Sequence, residues 1–178
     1  MIKNLISKFD NLIFVGGMAN NILKYKKFPI GKSVFEENCE NIVEDIFVSS
    51  KKGNCKLIFP TDVCVGKNLN DNGNIKGIDE VLKDDIILDI GPKTINILNT
   101  TIEETKTILW NGPAGYFENI NFRKGSFEIA KKIVEKNKKN EIYSVAGGGD
   151  TVAALNNFGL TKYSVSYTHL TLPTKRIV

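Results

Sequence analysis

Residues 142–155 read Ile142-Tyr143-Ser144-Val145-Ala146-Gly147-Gly148-Gly149-Asp150-Thr151-Val152-Ala153-Ala154-Leu155. An apolar run of strand length passes through three glycines into an apolar run suited to a helix. Glycine has no Cβ, so three in a row let backbone N–H groups approach a cluster of oxygens, and the helix N-terminus behind them adds partial positive charge. Thr151, in the first turn, offers a hydroxyl as well. Asp150 beside a bound phosphate calls for a cation between them, and Mg²⁺ held by one carboxylate and phosphate oxygens meets that need. The alternative is a tight turn whose helix is merely capped by Asp150.

Working outward, similar apolar runs stand at residues 11–15, 56–59, 86–88 and 107–110. Helical spacing lies between them. Over 122–136, Phe127, Ala130, Ile133 and Val134 share a face, with Glu128, Lys131 and Lys132 opposite. A second helix is expected over 33–49 with Val34, Ile42, Val43, Ile46 and Phe47 as core residues, and a third from Pro92 to about Thr101, with proline in its first turn. Strand and helix alternate, so the expected fold is α/β with an open, mainly parallel sheet. The polar, glycine-punctuated stretch 68–77 is expected to be a surface loop or a hairpin around Asn72-Gly73.

Composition narrows the function. The 178 residues are 42% hydrophobic and 25% charged, the mixture of a globular domain with a core, and one domain is expected. The formal charge of +4 comes from lysines scattered among acidic residues, with arginine only at 123 and 176, which argues against nucleic-acid binding. The densest basic run, Lys131-Lys132 and Lys136 to Lys139, is read as a solvated helix end. Cys39, Cys55 and Cys64 lack paired spacing and are expected as reduced, mostly buried thiols. No stretch approaches the roughly 18 apolar residues of a membrane helix. Lys3, Lys8 and Asp10 interrupt any signal-peptide core, so neither membrane nor export is expected.

Three further glycine-bearing loops follow three of the other four strands. In Asn111-Gly112-Pro113-Ala114-Gly115-Tyr116-Phe117-Glu118 the first three residues force a turn, an aromatic ring is placed to flank a flat base, and Glu118 to accept from a ribose; the alternative is an ordinary loop with an aromatic anchor. Val15-Gly16-Gly17-Met18-Ala19-Asn20 and Leu88-Asp89-Ile90-Gly91-Pro92-Lys93-Thr94 are unspecific singly. In an open parallel sheet all four loops lie along the carboxyl edge, and together they describe one nucleotide cleft.

These segments, with Ile30-Gly31-Lys32-Ser33, resemble the C-terminal, nucleotide-binding half of phosphoglycerate kinase, in order from about Met1 to Ser164. The resemblance implies a Rossmann-like sheet with helices on both faces, incomplete at both ends. It implies a cytoplasmic glycolytic enzyme, monomeric when intact, that transfers a phosphoryl group from 1,3-bisphosphoglycerate to Mg-ADP, giving ATP and 3-phosphoglycerate. Gly147, Gly148, Gly149, Asp150 and Thr151 would hold the nucleotide phosphates and Mg²⁺, with Asp150 toward the metal. Glu118 would bind the ribose, and Asn111, Gly112 and Pro113 would line the cleft. Gly16 and Gly17 would border the adenine with Leu88 on its apolar wall, although Val15 replaces the first of the family's three glycines.

The resemblance also implies that the family's acceptor-binding domain, with its catalytic arginine, is missing, so no catalytic residue is assigned and no turnover is expected from these residues alone. The family's phosphate-contacting lysine is expected before residue 1, so Lys3 and Lys8 are not given that role. Residues 165–178 depart from the pattern and are expected to be a foreign tail, with the chain's one histidine, His169, an exposed bystander. The competing expectation is a free-standing nucleotide-binding module or pseudoenzyme.

Overall fold

A computed structural model describes residues 6–160. The readings made for Lys3, His169 and the 165–178 tail lie outside the described residues.

The order is β1 (Asn11–Ile13), α1 (Gly16–Tyr25), α2 (Glu40–Gly53), β2 (Lys56–Ile58), β3 (Asp62–Gly66), β4 (Asn74–Gly77), β5 (Ile86–Ile90), α3 (Pro92–Glu104), β6 (Thr107–Asn111), a 3₁₀ turn (Ile120–Phe122), α4 (Lys124–Lys138), β7 (Tyr143–Gly147) and α5 (Gly149–Asn157). The α/β class expected from the alternation is the one observed. Parallel pairing joins β1 to β2, with Leu12 beside Leu57, and β6 to β7, with Trp110 beside Ala146. Between these pairs stands an antiparallel group in which β3 lies between β4 and β5.

The main core lies among α3, α4, α5 and the strands they cover, built from Ile90, Ile95, Leu98, Trp110, Ala130, Ile133 and Leu155. A second cluster holds α1 and α2 together through Phe14, Ile22, Val43 and Ile46. Proline opens α3 as expected, since the N–H it lacks would have no partner inside the first turn. The thiols of Cys39, Cys55 and Cys64 are free and buried.

Three local expectations need correction. The helix expected from Ser33 begins at Glu40 instead. Residues 33–36 are held by tertiary hydrogen bonds: Asn20 Nδ2 donates to the Val34 carbonyl at 2.9 Å, the Glu36 N–H donates to Asn21 Oδ1 at 2.8 Å, and the Ile87 N–H donates to Ser33 Oγ at 2.8 Å. Val34 is consequently 55% exposed, and Ile42, on the outer face of α2, 53% exposed, while Val43 and Ile46 take the core positions. The second correction is in α4, where Ile129 fills the core beside Ala130, and Phe127 stays half-buried, edge-on to Phe158. The third is Lys136, which is buried: its ammonium donates to the Glu103 carbonyl, tying α4 to the end of α3. Of the two readings of 68–77, the hairpin is the one formed, with β3 and β4 as its arms, and it carries a strand at Asp62–Gly66 that the apolar-run search passes over.

Candidate functional site

The parallel register that sets Trp110 beside Ala146 also sets Asn111 beside Gly147, so the chain leaves β6 and β7 at the same edge. Both exits bend through positive φ, at Gly112 (+103°) and Gly148 (+85°). A Cβ on Gly148 would stand 2.7 Å from Asn111 Oδ1, so only glycine fits that turn. The Gly112 peptide is clamped on both sides. Its N–H donates to Thr151 Oγ1 at 2.7 Å, and its carbonyl accepts from the Trp110 indole at 2.7 Å. The β1 exit closes on the same turn, since a Cβ on Gly16 would lie 3.2 Å from the Pro113 carbonyl oxygen. The carbonyl of Leu88, in the middle of β5, accepts the Tyr116 N–H at 2.7 Å.

The fold therefore gathers Gly16, Asn111, Gly112, Pro113, Gly147, Gly148 and Thr151 into one constellation, with Leu88 joined to it through the loop bearing Tyr116. Asp150 is exposed on the first turn of α5, and Glu118 is exposed on the loop beyond Tyr116. One assignment changes in kind: the Thr151 side chain is 0% exposed and its hydroxyl is committed to Gly112, so it braces the turn. Val15 is extended (φ −136°, ψ 171°), a conformation open to any residue, and its side chain packs against the main core.

Gly17 and Gly149 differ from the other glycines in combining open space around an added Cβ with a φ outside the positive range; Gly112 and Gly159 have the space but not the ordinary φ. A Cβ on either would meet nothing within 4 Å, so internal packing does not call for glycine there. Gly149 is the first residue of α5, whose N-cap Gly148 supplies no side-chain acceptor; α1 likewise starts behind Val15 without one. Both first turns thus present N–H groups and the positive end of a helix beside the Asn111-Gly112-Pro113 turn. Such an arrangement suits an anion. Among the described residues no group of three metal-ligating side chains exists, so a divalent ion here would take one protein carboxylate, Asp150, and find its other ligands on a bound phosphate.

The loop after β5 is filled by the protein itself. Asp62, 2% exposed, accepts the Lys93 N–H at 2.9 Å, the Thr94 N–H at 2.7 Å and the Thr94 hydroxyl at 2.6 Å, standing where an anion would stand at the start of α3. Glycine at 91 is required because any Cβ would overlap the Asp62 carboxylate. Asp89, also 2% exposed, accepts the Gly125 N–H at 2.8 Å at the start of α4 and the Ile90 N–H at 2.9 Å. Burial pushes the Asp89 carboxyl up to about 7, against the pull of these N–H groups. Asp85 goes the other way: burial alone would raise it, but the Lys67 and Lys76 ammonium groups, each 2.7 Å away, hold it down to about 2. Sequence reading passed over Asp62 and quoted Asp89 within a loop motif without giving it a role; a carboxylate inside or at the mouth of a buried strand was the available signal, since such a charge needs donors.

An α/β domain whose parallel strands end in glycine turns beside helix N-termini is the class this fold defines. The chain belongs to the phosphoglycerate kinase family, whose model, described as "Phosphoglycerate kinase", matches residues 1–171. A phosphoglycerate kinase of Zymomonas mobilis is 42% identical over 164 residues, covering 91% of this chain and 41% of that protein. One of Wolbachia pipientis from Culex pipiens is 39% identical over 168 residues, covering 94% and 42%. The structure of phosphoglycerate kinase from Coxiella burnetii superposes with a TM-score of 0.88 at 35% identity, over 94% of this chain and 43% of that one. The Pyrococcus horikoshii enzyme, at 22% identity and a TM-score of 0.65, shares the fold. The chain spans about two fifths of the length of these relatives. Among the described residues no helix is long and apolar enough to cross a membrane.

Proposed function

We propose that this chain is the nucleotide-binding part of a cytoplasmic phosphoglycerate kinase, in which the β-phosphate of Mg-ADP attacks the acyl phosphate of 1,3-bisphosphoglycerate. The bond from phosphorus to the acyl oxygen breaks, and ATP and 3-phosphoglycerate leave. The observation that carries the reading is the pair of helix starts, α1 and α5, that flank the Asn111-Gly112-Pro113 turn without a side-chain cap.

In this reading the N–H groups of Gly149, Asp150 and Thr151 take the nucleotide phosphates, and Gly147 and Gly148 give the backbone its close approach. Thr151 and Trp110 hold Gly112, so that the 111–113 turn presents a fixed wall. Gly16 and Gly17 border the base with Leu88 on its apolar side, and Glu118 accepts from the ribose hydroxyls. Asp150 is the side chain that would hold a Mg²⁺ carried in with the nucleotide, and that ion would supply neutralisation of phosphate charge. Transfer of this kind depends on alignment and charge neutralisation more than on covalent help from the protein.

Calorimetric titration of Mg-ADP into the purified chain, beside an Asp150→Ala variant and a metal-free control, tests the site. Binding that needs both metal and Asp150 is expected. Metal-independent binding, or equal affinity in the variant, would overturn the role of Asp150. A folded chain that binds no nucleotide would overturn the reading itself.

A further inference from the structure

The segment from Gly115 to Gly125, which bears Glu118, is hydrogen-bonded at one end to a buried carboxylate and packed closely against it at the other. At its far end the Gly125 N–H donates to Asp89 Oδ2 at 2.8 Å, and the neighbouring Lys124 N–H points to the same carboxylate. At its near end a Cβ on Gly115 would stand 2.5 Å from Asp89 Oδ1, so the chain there lies flat against the carboxylate, and the Tyr116 N–H continues the contact onto Leu88. A Cβ on Gly125 would overlap the same oxygen. The crest is fixed separately to the β3–β4 hairpin, where Asn119 Nδ2 donates to the Leu69 carbonyl at 2.7 Å and Asn121 Nδ2 to the Asp71 carbonyl at 3.0 Å. Glu118 stands exposed between these anchors.

We propose that Asp89 is a positioning residue that sets Glu118 against the Leu88 wall and so determines how tightly a ribose is held. The inference rests on the nucleotide reading above and adds a residue to it that touches no ligand. Cys64 on β3, the residue paired with Asp89 across the ladder, has its thiol pushed up to about 11 by burial and supplies no competing charge near neutrality.

The test compares Mg-ADP with Mg-2′,3′-dideoxy-ADP, which lacks the hydroxyls that Glu118 would accept from, above the pH at which Asp89 titrates. In Asp89→Asn, of nearly the same shape, an amide NH₂ replaces one of the oxygens that the N–H donors face. ADP affinity should fall by about tenfold and dideoxy-ADP affinity by less than about twofold, and Glu118→Gln added to Asp89→Asn should cost little more. An equal loss for both ligands, or none, would overturn the proposal. Hydrogen exchange on the unchanged chain covers the case in which the variant does not fold. ADP should slow exchange at the Tyr116 and Gly125 amides more than saturating dideoxy-ADP does, and equal slowing would contradict the role of Asp89. If the unchanged chain binds neither nucleotide, the site reading fails and this proposal with it.

Discussion

Two pairs of helix starts in this molecule share one local grammar and differ in what stands in front of them. At α3 and α4 a buried aspartate from elsewhere in the chain, Asp62 or Asp89, accepts the first-turn N–H groups, and the adjoining glycine is one whose Cβ would overlap that carboxylate. At α1 and α5 no side chain among the described residues takes that place, and Gly17 and Gly149 are glycines that packing does not demand. The protein thus supplies its own carboxyl acceptor at two sites, and we assign the other two to a ligand. Glycine-rich sequence alone does not separate these cases; the tertiary position of a carboxylate does.

Gly91→Ala and Gly125→Ala sharpen the contrast most. Each drives a methyl group into a buried carboxylate, and a loss of about 3 kcal/mol or more is expected in urea unfolding. Asp62→Ala, which strands the Lys93 and Thr94 N–H groups and leaves the Thr94 hydroxyl only the backbone carbonyl of residue 62 as acceptor, should cost about 3 kcal/mol by the same measurement. A cost below about 1 kcal/mol would break the claim that Asp62 fills the α3 site. Thr151→Val keeps the shape but removes the acceptor for the Gly112 N–H, and should cost about 1–2 kcal/mol while weakening Mg-ADP binding. Gly149→Ala is the opposite case: stability should stay within about 0.5 kcal/mol, while nucleotide affinity falls, since the new methyl group meets only the ligand.

The pH dependence divides two buried aspartates in a related way. Burial keeps Asp89 protonated in the folded chain up to about 7, above its ordinary 3.8, so the folded state holds a proton that the unfolded state has released. Its contribution is whole below the ordinary value and is lost as pH rises through about 7, with a slope of up to about 1.4 kcal/mol per pH unit. Asp85, held to about 2 by two lysines, contributes above its ordinary value and loses that contribution as pH falls toward 2. Unfolding of the unchanged chain and of Asp89→Asn between pH 5 and 8 isolates the first effect, and parallel curves would contradict it.

Much of this was open to sequence reading. Apolar runs located β1, β2, β5, β6 and β7, because short buried strands need continuous apolar side chains, and glycines marked the exits of all but β2. β3 escaped because its first residue is Asp62, a charge whose partners, Lys93 and Thr94, are distant in sequence. β4 escaped because its pattern is inverted: Ile75 is 50% exposed, while Lys76 turns in to pair with Asp85. The start of α2 was misplaced because Asn20, Asn21 and Ser33 hold residues 33–36 by contacts that no local pattern reveals. At the site, the residue types were readable and their division of labour was not. Thr151 carries the signature of a phosphate contact and spends its hydroxyl on Gly112.

The central claim, that the α1 and α5 starts receive the ligand while the α3 and α4 starts are already filled, is tested most directly by amide-resolved NMR during titration with Mg-ADP. The account predicts the largest shifts at Gly16, Gly17, Gly149, Asp150 and Thr151, with Lys93 and Thr94 unmoved. Shifts concentrated at Lys93 and Thr94, or none at the α1 and α5 starts, would contradict it.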